Sequence, residues 1–497
     1  MRVIILGFVI LCSVAVICGG MVLYLELRNG GSLGHVRVVV PVIENPPAPS
    51  TLPHSLDRVL IDVDSLANRM KSNRDIYQKI RDAALADYDK RNPDPKPYDD
   101  RIRTLLRLFA YLWVWGDFYR EGLWLDGYDY ANAAQIMGSR DPALRAFRYV
   151  YFSTYSFTDS EEETQKANQS AEQFLATGYP TAFKLWVCSS ALDNFAKYRT
   201  RNRPDPDAVT VKAMPTLVEK WGKLYRQLLQ DKLPHSLLYD HAEALLDSAD
   251  EDEETLNHVI GEQDRDFNES DPANPVRMAL DGSYYVHAAW NARGNGWANS
   301  VSEHGWELFR ERLDKAAEIL EAAYDRYPKE GEIARKMISV ELGQGQGKDR
   351  MELWFQRAIK ADPDDFDAYT AKEWYLQPRW YGSVDEVIGF GQECIQTENW
   401  SAKLPLVFSV GVADAAGQDW SFYTKPEIWT PLEKSYLDFL DHFPNSVFYR
   451  TNFAYQAYEG GHFDVARKQF HILGSDWDRT VISEASYRDI SRELHLW

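Results

Sequence analysis

Apolar residues recur at spacings of three and four along most of the chain, which is the pattern of amphipathic helices. The pattern begins in LDRVLIDVDSLANRMKSNRDIYQKIRDAALADYDKR, which starts at residue 56. After a break at Pro93, Pro95 and Pro97, the more apolar RIRTLLRLFAYLWVWGDFYREGLW follows. No run of alternating apolar and polar residues bounded by turn signals predicts a sheet. The fold class is therefore predicted to be mostly α.

The N-terminus carries a different pattern, an unbroken apolar run. From Val3 to Leu25 the chain has 23 residues without a charge. At about 1.5 Å per residue, this run would cross a hydrocarbon core of about 30 Å. A cleaved signal peptide is the alternative, but its apolar region is usually only about 7–15 residues long. Residues 1–28 are therefore predicted to be a transmembrane signal anchor, and the Gly- and Pro-rich residues 29–54 a linker.

The short tail before the anchor indicates the orientation of the body. A short tail with a long body behind it is the usual shape of a signal anchor that exports the body, although Arg28 and Arg37 after the span oppose this placement. The body is predicted to be extracytoplasmic. Outside the anchor the chain has Cys188 and Cys394, which are predicted to be buried thiols and not a disulfide.

An acidic segment, residues 247–275, divides the body. An EF-hand loop starting at Asp250 would need Gly and Glu where the chain has Thr255 and Gly261, so no calcium loop is predicted. The segment is predicted to be a linker or loop between an N-terminal helical domain, residues 55–246, and a C-terminal domain, residues 276–497. The formal net charge of −20 predicts no nucleic-acid partner, since phosphates bind basic surfaces.

The C-terminal domain contains a repeat with a shift of 35 residues. The small, large, small and proline positions of one unit recur in the next, and they are Ala316, Leu320, Ala323 and Pro328, then Met351, Phe355, Ala358 and Pro363. These are the positions of the second helix of a tetratricopeptide repeat, where small residues let helices approach and proline ends the helix. Degenerate units are predicted around Phe390 and in FAYQAYEGGHFDVARKQFHIL. The domain is predicted to consist of tetratricopeptide-like helical repeats.

The glycine-rich stretch ELGQGQGKDRMELWF, residues 341–355, resembles a phosphate-binding loop. A Walker loop, however, needs Gly where the chain has Leu342, and Ser or Thr where it has Asp349. The stretch also lies between two repeat helices, where glycine ends a helix readily. It is predicted to be a turn, with no nucleotide and no other cofactor bound.

Three segments resemble a bacterial family of uncharacterised proteins, domain of unknown function 4034. They are GNGWANSVSEHGWELFRERLDKAAEIL, ISVELGQGQGKDRMELWFQRAI and DDFDAYTAKEWYLQPRWYGSVDEVIGFGQEC, and they cover roughly residues 280–400. The resemblance implies a bacterial, helical, repeat-like protein, so that the exported body would lie on the periplasmic side. It implies no catalytic residues, because the family carries none that could be transferred.

One segment, residues 284–306, concentrates polar side chains that could carry chemistry. They are His287, Asn291, Arg293, Asn295, Glu303 and His304. The segment has no HExxH, CxxC or GxSxG motif and no pair of His at metal spacing with a third ligand. A loop followed by a capped helix explains the same residues. No catalytic residue and no metal site are therefore predicted.

Two functions remain open at this point. The first is a membrane-anchored scaffold that binds a protein partner in the groove of its repeats; the alternative is a helical, aromatic-rich enzyme acting on a polymer such as a glycan. Resemblance to tetratricopeptide units places positions 2, 5 and 9 of each first helix in the groove. The predicted groove residues are Glu332, Arg335 and Ser339, then Asp367, Thr370 and Trp374, then Phe448, Thr451 and Tyr455.

Overall fold

The computed structural model describes residues 60–70, 73–116, 123–147, 161–202, 209–249, 257, 259–261, 274–294, 296–417, 419–478 and 481–496. The predicted anchor, residues 1–28, and the linker, residues 29–54, lie outside these ranges, as does most of the acidic segment. Among the helices that are described, none has both the length and the apolar character to cross a membrane.

The described chain is mostly α-helical, which confirms the predicted fold class, and these ranges contain no β-strand. The helices before the acidic segment are α1 (Val63–Arg69), α2 (Arg74–Arg91), α3 (Asp99–Trp115), α4 (Leu123–Ile136), α5 (Glu161–Leu175), α6 (Thr181–Asn202), α7 (Val209–Gln230) and α8 (His235–Ala249).

Eleven α-helices follow the acidic segment in the part of the chain that the structure describes. They are α9 (Pro275–Arg293), α10 (Glu303–Arg326), α11 (Gly331–Gln344), α12 (Lys348–Ala361), α13 (Phe366–Tyr375), α14 (Val384–Gln396), α15 (Val407–Ala416), α16 (Pro426–His442), α17 (Val447–Glu459), α18 (Phe463–Leu473) and α19 (Glu484–Glu493). Consecutive helices pack as pairs, notably α9 with α10, α11 with α12 and α17 with α18.

Local sequence signals account for several helix boundaries. The Asn274 side chain accepts a hydrogen bond from the Val276 amide, and Pro275 supplies a first helical residue that needs no donor, so α9 begins there. Ser302 caps α10 in the same way. The side chain of Ser383 accepts a hydrogen bond from the Glu386 amide, so α14 begins after it.

The glycine-rich stretch is a turn between two packed helices, as the sequence predicted. Helix α11 ends at Gln344, and Gly345 follows with a φ of 65°, a left-handed value that glycine adopts at low cost. Gly347, with a φ of 109°, precedes α12. The Lys348 ammonium pairs with the Glu386 carboxylate of α14. The predicted turn is therefore confirmed.

The apolar positions of the predicted repeat are buried. In α10, α12 and α14 they are Ala316, Leu320, Ala323, Met351, Phe355, Ala358 and Phe390. Helix α9 approaches α10 so closely that a Cβ added to Gly282 would lie 2.4 Å from Leu320 Cδ2. Small residues at these seams thus let neighbouring helices pack against each other.

The apolar core forms two clusters. The first extends from Val63 to Val407, and the second from Leu406 to Leu496. The first cluster continues across the acidic segment, because α8 packs against α9 and Tyr239 Oη lies 2.8 Å from Ser283 Oγ. The two clusters meet at α15, which packs against α13 and α14 as well as against α16. The predicted division of the body at residues 247–275 stays a prediction. Cys188 and Cys394 are buried free thiols.

Candidate functional site

Charged side chains concentrate where α8, α9 and α11 meet. We call Glu243, Asp247, His287 and Lys336 the charged cluster. Glu243 and Asp247 are one turn apart on α8, so both carboxylates lie on the same side of that helix. His287 reaches them from α9, and Lys336 from α11. The charged cluster therefore connects α8, which precedes the acidic segment, with α9 and α11, which follow it.

The distances within the charged cluster are short. His287 Nε2 lies 3.1 Å from Glu243 Oε1 and 3.3 Å from Asp247 Oδ1. The Lys336 ammonium also pairs with Glu243 Oε1. The donor atoms of Glu243, Asp247 and His287 all lie within 4.8 Å of one another, so these three residues could hold a metal ion.

Burial makes the charge balance of the cluster important. The side chains of Glu243 and His287 are 12% and 11% exposed, whereas that of Asp247 is 63% exposed. Burial alone would raise the pKa of Glu243, but the Lys336 ammonium and the His287 imidazole hold that pKa well below its ordinary value. The Oε2 atom of Glu243 is buried and has no hydrogen-bond partner.

Arg335, next to Lys336 on α11, also pairs with α8. Its guanidinium donates to Asp240 at 2.8 Å and to Asp365 at 3.0 Å, and it lies 3.5 Å from Asp367. The Arg335 side chain is only 17% exposed. Arg335, which the sequence placed in the groove, is thus already paired with acids of the chain itself.

The other predicted groove residues of α11 and α13 are at least partly accessible. Glu332 and Ser339 are half-buried, and burial raises the pKa of Glu332 to about 7. Thr370 donates a hydrogen bond to the Asp367 carbonyl at 3.1 Å. Trp374 is half-buried against the first core cluster. The ion pair of Arg335 with Asp367 joins these two sets of predicted residues.

In the third predicted set, on α17, Tyr455 packs against the second core cluster and Phe448 is half-buried. Phe448 contacts Tyr449, with ring centroids 5.1 Å apart, and Tyr455 contacts Trp420 at 5.6 Å. Thr451 is fully buried, and its Oγ1 donates to the Val447 carbonyl at 2.8 Å. The prediction that Thr451 faces a groove is wrong, because the register places its side chain inside the core.

Trp374 belongs to a row of half-buried indole rings. We call Trp290, Trp306, Trp374 and Trp380 the aromatic ridge. Trp374 lies 6.5 Å from Trp380, and Trp380 lies 5.7 Å from Trp290, measured between ring centroids. Phe309 connects the remaining indole, at 5.0 Å from Trp290 and 5.6 Å from Trp306. The ridge thus spans α9, α10, the end of α13 and the turn that follows it.

Two guanidinium groups stack on the aromatic ridge. Arg379 lies 4.6 Å from the Trp374 ring centroid, and Arg293 lies 5.6 Å from that of Trp290 and 5.5 Å from that of Trp306. Arg293 also donates to the Gly294 and Gly296 carbonyls, which places the loop before α10 beside the ridge. The sequence predicted Trp374 as a groove residue but did not predict its neighbours Trp290 and Trp306, which come from distant segments.

The polar candidates of residues 284–306 do not form one site. His287 joins the charged cluster and Arg293 the aromatic ridge. Glu303 and His304 are exposed in the first turn of α10, and Asn295 lies outside the described residues. Because Glu303 is exposed and not enclosed in a deep cleft, this region does not favour the polymer-cleaving alternative, which needs a pair of carboxylates in a cleft.

Comparison with known proteins gives no match. No protein-family model, no curated protein and no solved structure matches the chain. The resemblance to the family of unknown function therefore has no support from a family model and stays an expectation.

Proposed function

We propose that the protein is a membrane-anchored helical-repeat scaffold that binds a protein partner at the aromatic ridge, with its body on the extracytoplasmic side. The observation that carries this proposal is the ridge itself, four half-buried indoles with two stacked guanidiniums. Trp and Arg are the residues most enriched at the energetic centres of protein interfaces.

The repeat interpretation supports the same proposal. Two copies of the small–large–small pattern, 35 residues apart in sequence, have all their apolar members buried in α10 and α12. Short turns join the paired helices, and Pro328 and Pro363 follow the ends of α10 and α12. Stacked helix pairs of this kind present extended surfaces, which repeat proteins use for binding partners.

The ridge has properties that suit a peptide or protein surface. Its rings are held by packing against the first core cluster, so little conformational entropy would be lost when a partner binds. The arginines place positive charge beside an apolar area, which suits a partner with apolar and acidic groups; some of their donors already bond backbone carbonyls of the chain, of Gly294 and Gly296 for Arg293 and of Asp414 for Arg379. Two exposed aromatic residues lie close in sequence to ridge residues: Trp297, 75% accessible, and Tyr381, 38% accessible.

The proposal is tested by affinity purification from detergent-solubilised membranes, with the recovered proteins quantified by mass spectrometry. Trp374→Ala should reduce recovery of a specific partner at least tenfold, because loss of a central aromatic anchor typically costs about 2 kcal/mol or more of binding free energy. Trp374 is half-buried, so we also expect a loss of about 1–2 kcal/mol in unfolding free energy.

A matched control is Phe463→Ala, which removes an aromatic side chain that is 43% exposed. Phe463 lies on α18, in the region of the second core cluster, and not in the aromatic ridge. This variant should recover the partner like the wild type. Arg379→Ala keeps the indoles but removes the stacked cation, and should weaken recovery without unfolding the body. Equal recovery by all the variants would refute the assignment of the ridge as the partner surface.

A further inference from the structure

We propose that Glu243, Asp247 and His287 form a binding site for a divalent transition-metal ion such as Zn²⁺. The three residues come from α8 and α9, and their ligand atoms lie within 4.8 Å of one another. The sequence predicted no metal site, because it offers none of the short metal-binding motifs. This inference is independent of the proposed partner surface.

The spacing of the ligand atoms suits a tetrahedral ion. Zinc binds imidazole nitrogen and carboxylate oxygen at about 2.0–2.2 Å, which places neighbouring ligand atoms about 3.3 Å apart. The observed separations from His287 Nε2 are 3.1 Å to Glu243 Oε1 and 3.3 Å to Asp247 Oδ1. Two of the three separations therefore match a tetrahedral ion already, and an ion would enter by drawing the Glu243 and Asp247 carboxylates, which lie within 4.8 Å of each other, onto it and by displacing Lys336 from Glu243 Oε1.

The donor set indicates which ions are favoured. Imidazole nitrogen and carboxylate oxygen are both ligands of zinc, and an imidazole favours zinc, copper, iron and nickel over the alkaline-earth ions. Calcium and magnesium prefer six or more oxygen ligands, and the cluster offers a nitrogen at its centre. Three protein ligands leave a fourth position for water, and the exposed side of Asp247 gives the ion a route from solvent.

A second observation within the cluster points to a cation. Glu243 Oε2 is buried without a hydrogen-bond partner, which is unusual because buried polar atoms are nearly always paired. Its other oxygen, Oε1, is shared by His287 and Lys336. A divalent ion on Glu243 would satisfy the carboxylate more completely, with Lys336 displaced toward Oε2.

Lys336 therefore competes with the metal for Glu243. Without metal, its ammonium supplies the positive charge that the buried carboxylate needs. Replacing it with an uncharged side chain of similar length, Lys336→Met, removes the competitor and leaves Glu243 dependent on the metal. We expect Lys336→Met to be less stable than the wild type without metal, and to gain more in thermal midpoint when zinc is added.

The test uses the full-length, untagged protein in detergent, stripped with a chelator and titrated with ZnCl₂ under calorimetry and thermal unfolding. The wild type should bind one high-affinity zinc per chain and unfold at a higher temperature with zinc. Asp247→Asn should weaken binding at least tenfold and should fold normally, because Asp247 is 63% exposed. Co²⁺ in place of zinc should give the absorption of a tetrahedral site.

The matched control is Glu318→Gln, which removes the same charge from an exposed carboxylate of α10, 71% accessible. It should bind zinc like the wild type. Absence of stoichiometric binding by the wild type would overturn the proposal, and so would equal affinities of Asp247→Asn and Glu318→Gln. A zinc response of Lys336→Met no larger than that of the wild type would overturn the competition with Lys336.

Discussion

Glu373 offers a test of the packing between α13 and α15, because a buried acid makes folding depend on pH. Its side chain is buried, with the residue only 1% exposed, and Gln377 donates a hydrogen bond to it. Burial, with the nearby negative charge of Asp414, raises the pKa of Glu373 from 4.5 to about 8. The folded protein therefore holds a proton on this pair of carboxyl groups to a higher pH than the unfolded chain does.

Because the pKa of Glu373 is raised in the folded protein, the free energy of unfolding should fall as the pH rises. In the unfolded chain Glu373 loses its proton near pH 4.5, while the folded protein holds the proton up to about pH 8. The stabilising contribution is complete below the unfolded pKa and is lost as the pH rises through the folded pKa. The free energy of unfolding should fall by about 1.4 kcal/mol per pH unit in this window, and by at most about 5 kcal/mol in total.

Glu373→Gln mimics the protonated acid and removes its titration. Urea unfolding followed by tryptophan fluorescence, from pH 5 to pH 8.5, should show a flatter dependence for this variant than for the wild type. The variant should match the wild type near pH 5 and exceed its stability near pH 8. Glu393→Gln, an exposed glutamate of α14, is the control and should follow the wild type. A Glu373→Gln variant that is less stable than the wild type at pH 8 would refute the reasoning.

Two further predictions test the helix seam and the anchor. Gly282→Ala should destabilise the body by about 1–3 kcal/mol, because the new Cβ would overlap Leu320 of α10. The control is Gly389→Ala, because a Cβ at that position meets nothing within 4 Å. Equal thermal midpoints of the two variants would contradict the close approach of α9 and α10. Deleting residues 1–28 should move the body from the membrane pellet to the soluble fraction. A truncated chain that still sediments with membranes would count against a single N-terminal anchor.

The sequence predicted the features of the fold that depend on neighbouring residues. Apolar spacing predicted helices, and the 35-residue shift predicted buried positions such as Leu320 and Phe355. Missing Walker residues predicted that the glycines after Leu342 form a turn. Each of these signals lies within one helix or one helical pair, where spacing along the chain determines which side chains share a face.

The features that sequence reasoning missed depend on contacts between distant segments. Asp240 and Arg335 are 95 residues apart, so no local pattern could show that they pair. The i, i+4 spacing of Glu243 and Asp247 was a visible signal, but only the fold brings His287 to them. Thr451 was misplaced because the groove positions were transferred from a repeat pattern, and a small shift in register turns a helix face from solvent to core.

The ion pairs of α11 connect it to α8, the helix on the other side of the acidic segment in sequence. Arg335 and Lys336 both bind α8, at Asp240 and Glu243. The Lys336–Glu243 pair is largely buried, with side chains 15% and 12% exposed; such a pair adds little net stability after desolvation, but it penalises any arrangement that separates the partners. It therefore specifies how α8 sits on α11. The aromatic ridge packs against the first core cluster, which also contains the helices before the acidic segment. A partner bound at Trp374 would therefore be connected through packed helices to the N-terminal part of the body.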